Sequence, residues 1–175
     1  MTTDPFDILG LPPAFDLDPA ALQRAYLRRS AALHPDHAAA DPSGGPEAAA
    51  LNDARAILED PERRAEALLV RLGGPARSED RSLPPAFLPE IMAIREEIEE
   101  DRASGDPSRM ERWEDWANER RAGHIATVSR LFAEHAAAAE ADQADILRRI
   151  RLELNVWRYT ERLLEQLEPG GGPGL

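Results

Sequence analysis

Residues 19–36 read PAALQRAYLRRSAALHPD. Leu22, Tyr26 and Leu33 recur at helical spacing as an apolar stripe, with Arg24, Arg28 and Arg29 beside it, so the stretch predicts an amphipathic helix over about residues 19–33. Asp18 supplies its start, because a carboxylate at that position accepts from the open N–H groups of the first turn and Pro19 has its φ fixed near the helical value. Pro35 stops it, having neither an N–H to donate nor room for the preceding turn. A basic helix thus runs straight into the tripeptide His34-Pro35-Asp36.

Outward from this stretch the same signals repeat. Asp60-Pro61 and Asp106-Pro107 are further helix starts, alternation of period two is absent, and Ala, Leu, Glu and Arg dominate over β-branched residues. The expected fold class is all-α. A short helix over residues 5–9 ends at Gly10 and Pro12-Pro13, and the small, Gly- and Pro-rich residues 38–46 form a loop. A helix over 47–58 buries Leu51, Ala54 and Leu58, and one over 61–72 is closed by Gly73-Gly74. Residues 74–83 are polar and aperiodic, which predicts a linker. Three longer helices follow. The first begins within residues 86–89, since Pro89 is tolerated only in an opening turn, and turns Ile91, Ile94 and Ile98 inward. The second runs from 107 towards 139 with Met110, Trp113, Ala117, Ile125, Val128 and Phe132 inward. The third covers about 142–167 with Ile146, Ile150, Leu154, Trp157, Leu164 and Leu167. Short connections between such helices predict a bundle of antiparallel neighbours. The expected organisation is an N-terminal domain over 1–73, a linker over 74–83, a three-helix bundle over 84–168 and a loose glycine-rich tail over 169–175.

Composition removes several function classes. The 175 residues carry 33 acidic against 21 basic side chains, all of the latter arginine, for a net charge of −12. Such a chain repels a phosphate backbone, which argues against a nucleic-acid partner. The absence of cysteine excludes disulfides, a thiol nucleophile and thiolate ligation of a metal or cluster. No stretch approaches the ~18 apolar residues of a membrane span, and no basic segment followed by an apolar run opens the chain, so a cytoplasmic protein is expected, with no membrane partner. His34 and His37 are separated by the helix-breaking Pro35 and have no third ligand at useful spacing, so no metal site is assigned. His124 and His135 read as packing or surface histidines, and Trp113, Trp116 and Trp157 as core. With no phosphate loop and no catalytic constellation, neither an enzyme nor a cofactor is indicated.

Four features together resemble the J domain of DnaJ-type co-chaperones: FDILGL at residues 6–11, Tyr26, His34-Pro35-Asp36, and Leu51-Asn52-Asp53-Ala54. The resemblance implies a helical hairpin whose His34, Pro35 and Asp36, with Arg24, Tyr26, Arg28 and Arg29 on the preceding helix, dock on the ATPase of a DnaK/HscA-type chaperone. The residues themselves fit that role. The arginines make a local positive strip on an acidic chain, suited to steering onto an acidic surface, and Pro35 lowers the entropy left to lose on binding. Leu27 departs from the pattern, standing where many J domains carry a basic residue.

Arg64-Ala65-Glu66-Ala67-Leu68-Leu69 with Leu72-Gly73, and Ala86-Phe87-Leu88-Pro89-Glu90 continuing to Arg95-Glu96-Glu97-Ile98, resemble the corresponding stretches of the HscB family of iron–sulfur co-chaperones. That resemblance implies a C-terminal bundle that binds an IscU-type scaffold protein, through Leu88, Met92, Glu96 and Glu100 on one i+4 row and Leu154 on the last helix. Pro89 and Ala93 depart from the family, which often has an apolar side chain and an acid there. The plainer reading of Glu96, Glu97, Glu99, Glu100 and Asp101 is a solvated helix face. The alternative functions are a J-domain co-chaperone whose bundle holds a different client, and a J-like module that stimulates nothing.

Overall fold

The computed structural model describes residues 4–33 and 45–165, leaving aside the Leu164 side chain. Seven helices and no strand occur among the described residues: α1 (Pro5–Leu9), α2 (Pro19–Leu33), α3 (Gly45–Glu59), α4 (Pro61–Arg71), α5 (Phe87–Ser104), α6 (Pro107–Ala137) and α7 (Glu140–Glu165). They fall into two compact units, residues 1–73 and 74–175.

In the first unit Asp18 and Asp60 open helices as the sequence predicts, and Asp4 before Pro5 does the same. Asp4 accepts from the Phe6 N–H at 2.8 Å, Asp18 from Ala20 at 2.9 Å and Asp60 from Arg63 at 2.9 Å, each closing a first turn that begins with proline. At the far end of α1, Gly10 adopts φ 65°, so the turn favours glycine, and the Arg29 guanidinium lies over it, 2.9 Å from where a Cβ would stand. The core is apolar: Phe6, Leu9, Phe15, Leu22, Ala25, Leu51, Ala54, Leu58, Ala65, Leu68 and Leu69 are all buried. Each large side chain in it contributes about 1.5–3 kcal/mol. The inward residues of α2 are Leu22 and Ala25, whereas Tyr26 and Leu33, expected on the buried stripe, are half-buried.

The second unit is a bundle. Arg121 meets Glu161 and Glu134 meets Arg149, so α6 and α7 run antiparallel through a connection of two residues. Asp101 meets Arg109 and Arg112 while Glu90 meets Arg120, so α5 and α6 are antiparallel as well. Ile98, Trp113 and Leu163 form a core shared by all three helices, with Ile91, Ile94, Met110 and Trp116 packed against it. Val128, Leu131 and Phe132 of α6 and Ile146, Leu147, Ile150, Leu154 and Trp157 of α7 are buried as well. His124 and His135 are buried, which settles the choice left between packing and surface. His124 Nδ1 lies 2.7 Å from Glu153, its Nε2 lies 3.3 Å from the Thr160 hydroxyl, and its ring stacks on Trp157.

Two features depart from the sequence reading. Asp101, grouped there with a solvated acidic run, is 7 % exposed and accepts from Trp113 Nε1 at 2.9 Å as well as from Arg109 and Arg112. The Trp113 hydrogen bond, together with the two guanidinium groups, holds its carboxyl below the ordinary carboxylate range. Residues 74–83, read as a linker, are fastened to α7: Arg151 donates to the Pro75 carbonyl, and Asn155 to those of Asp80 and Ser82.

Candidate functional site

The outer face of α2 is set by its register. Leu22 and Ala25 fix the inward side, which leaves Arg24, Leu27, Arg28 and Ala31 within about 100° of arc on the opposite side, all exposed. Leu27, 55 % exposed, stands between Arg24 and Arg28, so the face is a mixed apolar and basic strip. Arg24 reaches Asp18 at 3.3 Å, but both groups are mostly in water and such a pair gives way to a partner at little cost. Neither Tyr26 nor Arg29 belongs to this strip. Tyr26 is turned towards α3, donating to Asn52 Oδ1 at 2.9 Å beneath the Arg55 guanidinium 4.6 Å from its ring centroid, and Arg29 lies over Gly10. Its residue type and spacing gave no warning that Tyr26 would tie two helices together. The tripeptide His34-Pro35-Asp36 and His37 lie outside the described residues.

On α5 the row Leu88, Met92, Glu96 and Glu100 is exposed along its whole length, with Leu88 at 47 % and Met92 at 63 %. Ile91, Ile94 and Ile98 hold the helix from the other side, and Asp101 pins its last turn to α6. The result is an apolar start and an acidic continuation on a backbone fixed at both ends. Pro89 is the third residue of α5, where the missing N–H has no helical partner to lose, and both Pro89 and Ala93 are exposed. Leu154 does not join this row. At 3 % exposed it is part of the bundle interior, because it follows Ile150 and precedes Trp157 on the apolar stripe of α7. Among the described residues, no group of three or more His, Cys, Asp or Glu is placed to hold a metal, and no helix is long and apolar enough to cross a membrane.

Residues 4–67 match the DnaJ domain family, and residues 83–168 match the family described as the HSCB C-terminal oligomerisation domain. The helical first unit with its exposed basic face therefore belongs to the J-domain class of co-chaperones. The chain is 33 % identical over 146 residues to the co-chaperone protein HscB homolog of Vibrio vulnificus, covering 80 % of each, and 31 % identical over 169 residues to that of Aeromonas hydrophila, covering 93 % of each. It belongs to the HscB co-chaperone family. Among solved structures, chaperone HscB from Vibrio cholerae superposes with a TM-score of 0.62 at 29 % identity, over 95 % of this chain and all of that one. Human co-chaperone HscB, at 24 % identity, shares the fold with a TM-score of 0.71, over 95 % of this chain and 81 % of that one.

Proposed function

We propose that this protein stimulates the ATPase of a DnaK/HscA-type chaperone and delivers to it an IscU-type scaffold protein during iron–sulfur cluster assembly, acting in the cytoplasm without bond chemistry of its own. The observation that carries this reading is the division of labour on one chain. A J domain has an exposed Arg24–Leu27–Arg28 strip on the helix that leads to His34-Pro35-Asp36, and an HscB-type bundle presents the bare row Leu88, Met92, Glu96 and Glu100. The strip supplies positive charge to steer the encounter and an apolar residue to bury, with His34, Pro35 and Asp36 as the proposed contacts at the ATPase. The α5 row offers two apolar anchors beside carboxylates that select a basic rim on the scaffold. Tyr26 and Arg29 act by holding α2 in place, and Leu154 by supporting the bundle.

The test is a paired assay of chaperone ATPase rate and scaffold affinity. His34→Gln is expected to abolish stimulation while leaving scaffold binding intact and stability within about 0.5 kcal/mol, as for a side chain that serves docking and not packing. Met92→Ala with Glu96→Ala is expected to weaken scaffold binding about tenfold or more while the ATPase is still stimulated in the absence of scaffold. Loss of both activities in either variant would contradict the division. Stimulation without any scaffold affinity in the unaltered protein would assign the bundle to another client.

A further inference from the structure

Residues 74–83 and α7 border an open cavity of about 450 Å3 whose lining includes Arg77, Arg81, Arg158 and Arg162. No acidic side chain is among its described lining residues, although carboxylates outnumber arginines 33 to 21 in the chain. Arg77 and Arg81 are four residues apart on the loop wall, and Arg158 and Arg162 four apart on the helix wall. An open cavity lined by charge of one sign raises the local potential and draws in an anion.

The loop wall is built rather than draped. Arg151, 1 % exposed, donates from Nε to the Pro75 carbonyl at 3.0 Å, and Asn155, 6 % exposed, donates to the carbonyls of Asp80 and Ser82 at 3.2 and 3.1 Å. Asp80 in turn accepts from the Ser82 N–H and hydroxyl, and Glu79 from the Ala76 N–H. Buried polar side chains are thus committed to fixing the backbone that presents Arg77 and Arg81, so little ordering is left to be done when a ligand arrives. Ser78 adds a hydroxyl to the lining, and the half-exposed Tyr159 ring flanks it, itself held edge-on by Phe87 at 6.0 Å.

We propose that this cavity binds a small molecule bearing a polyphosphate chain, held between the two arginine pairs. The guanidinium fork matches phosphate oxygens two at a time, and a run of phosphates answers four positive charges more nearly than an isolated carboxylate does. The volume falls within the roughly 300–1,000 Å3 of small-ligand sites, and Tyr159 offers a face for an organic group attached to the phosphates. This inference does not depend on the chaperone reading.

Calorimetric titration of the full chain at low salt, with inorganic tripolyphosphate, ATP and citrate as separate probes, tests it. Saturable one-site binding of tripolyphosphate is expected, weakening as salt is raised and weaker by at least about tenfold in Arg77→Glu/Arg81→Glu. The charge-matched pair Arg130→Glu/Arg148→Glu should bind as the unaltered protein does. Arg162→Ala, from the other wall, should lose affinity too and covers the case in which the loop variant misfolds, which tryptophan emission and circular dichroism would reveal. ATP binding more tightly than tripolyphosphate would support a base lying against Tyr159, and equal affinity would support recognition of the phosphates alone. Absence of saturable binding, equal losses in the charge-matched pair, or citrate binding as tightly as tripolyphosphate would overturn the proposal.

Discussion

The two units solve the same problem, packing amphipathic helices, with different materials. Every buried polar or charged residue among those described, namely Asp101, His124, His135, Arg151, Asn155 and Thr160, belongs to the second unit, while the first has an apolar interior and keeps its polar bonds at caps and edges. Length accounts for the contrast. In the first unit short helices closed by aspartate, proline and glycine have little freedom to slide. In the second, α6 and α7 run for 31 and 26 residues, and an apolar seam of that length tolerates a shift by one turn. Paired polar groups do not, because a shift leaves each one buried and unsatisfied. The His124–Glu153–Thr160 contacts therefore fix the register of α6 on α7, and the Asp101 anchor fixes the seat of α5, whose own i+4 spacing lines up Leu88, Met92, Glu96 and Glu100.

The comparison can be tested unit by unit, because all three tryptophans, Trp113, Trp116 and Trp157, lie in the second unit and their emission reports on it alone. The largest expected effect is that of Trp157→Ala. It empties a site 2 % exposed and should destabilise the bundle by about 3–5 kcal/mol in a denaturant titration followed by emission of the remaining tryptophans. A cost under ~1 kcal/mol would mean that α6 and α7 repack in another register. Leu58→Ala, at a fully buried position in the first unit, should cost about 2–5 kcal/mol in the transition seen by far-ultraviolet circular dichroism while the tryptophan transition stays in place. If both transitions move together, the units are not independent. Tyr26→Phe removes only the hydrogen bond to Asn52 and should lower the stability of the first unit by about 1 kcal/mol. No change at all would show that the Arg55 stacking, which phenylalanine preserves, carries the whole contact.

The smallest effect is one of pH. The carboxyls held below their ordinary range among the described residues, Asp80, Asp101, Asp106, Glu134 and Glu161, all lie in the second unit; Glu161 is held there chiefly by its hydrogen bond from Arg121. A carboxyl whose folded value is depressed contributes its full stabilisation above the ordinary value, 3.8 for aspartate, and loses it as pH falls through the depressed one. The tryptophan transition should therefore be the more acid-sensitive of the two, and Asp101→Asn should flatten its dependence below about pH 4. Earlier acid loss of the first unit would contradict this.

What was legible in the sequence was whatever is decided within one helix. The Asp18, Asp60 and Asp106 starts, the inward isoleucines of α5 and the exposed row beside them follow from local spacing, and the structure agrees with each. Polar partners across helices were not legible. Asp101 looks like its neighbours Glu99 and Glu100 until Trp113 arrives from α6, and Tyr26 looks like core until Asn52 arrives from α3. Residues 74–83 lack periodicity, and three of their carbonyls bond to Arg151 and Asn155, far along the chain, which no local pattern encodes. Leu154 was assigned to a binding face through family resemblance, whereas its own spacing with Ile150 and Trp157 already placed it inside.

The cluster of Ile98, Trp113 and Leu163 unites the first helix of the bundle with the last turns of the final one. During synthesis, the N-terminal unit is complete and able to fold long before the ribosome reaches Leu163. Helix α5, by contrast, emerges with Ile91, Ile94 and Ile98 uncovered until α6 arrives, and the cluster closes only when Leu163 joins it. A premature stop between the end of α5 and the end of α7 would release a finished J domain followed by a sticky, half-clothed helix, a product that quality control has every physical reason to recognise.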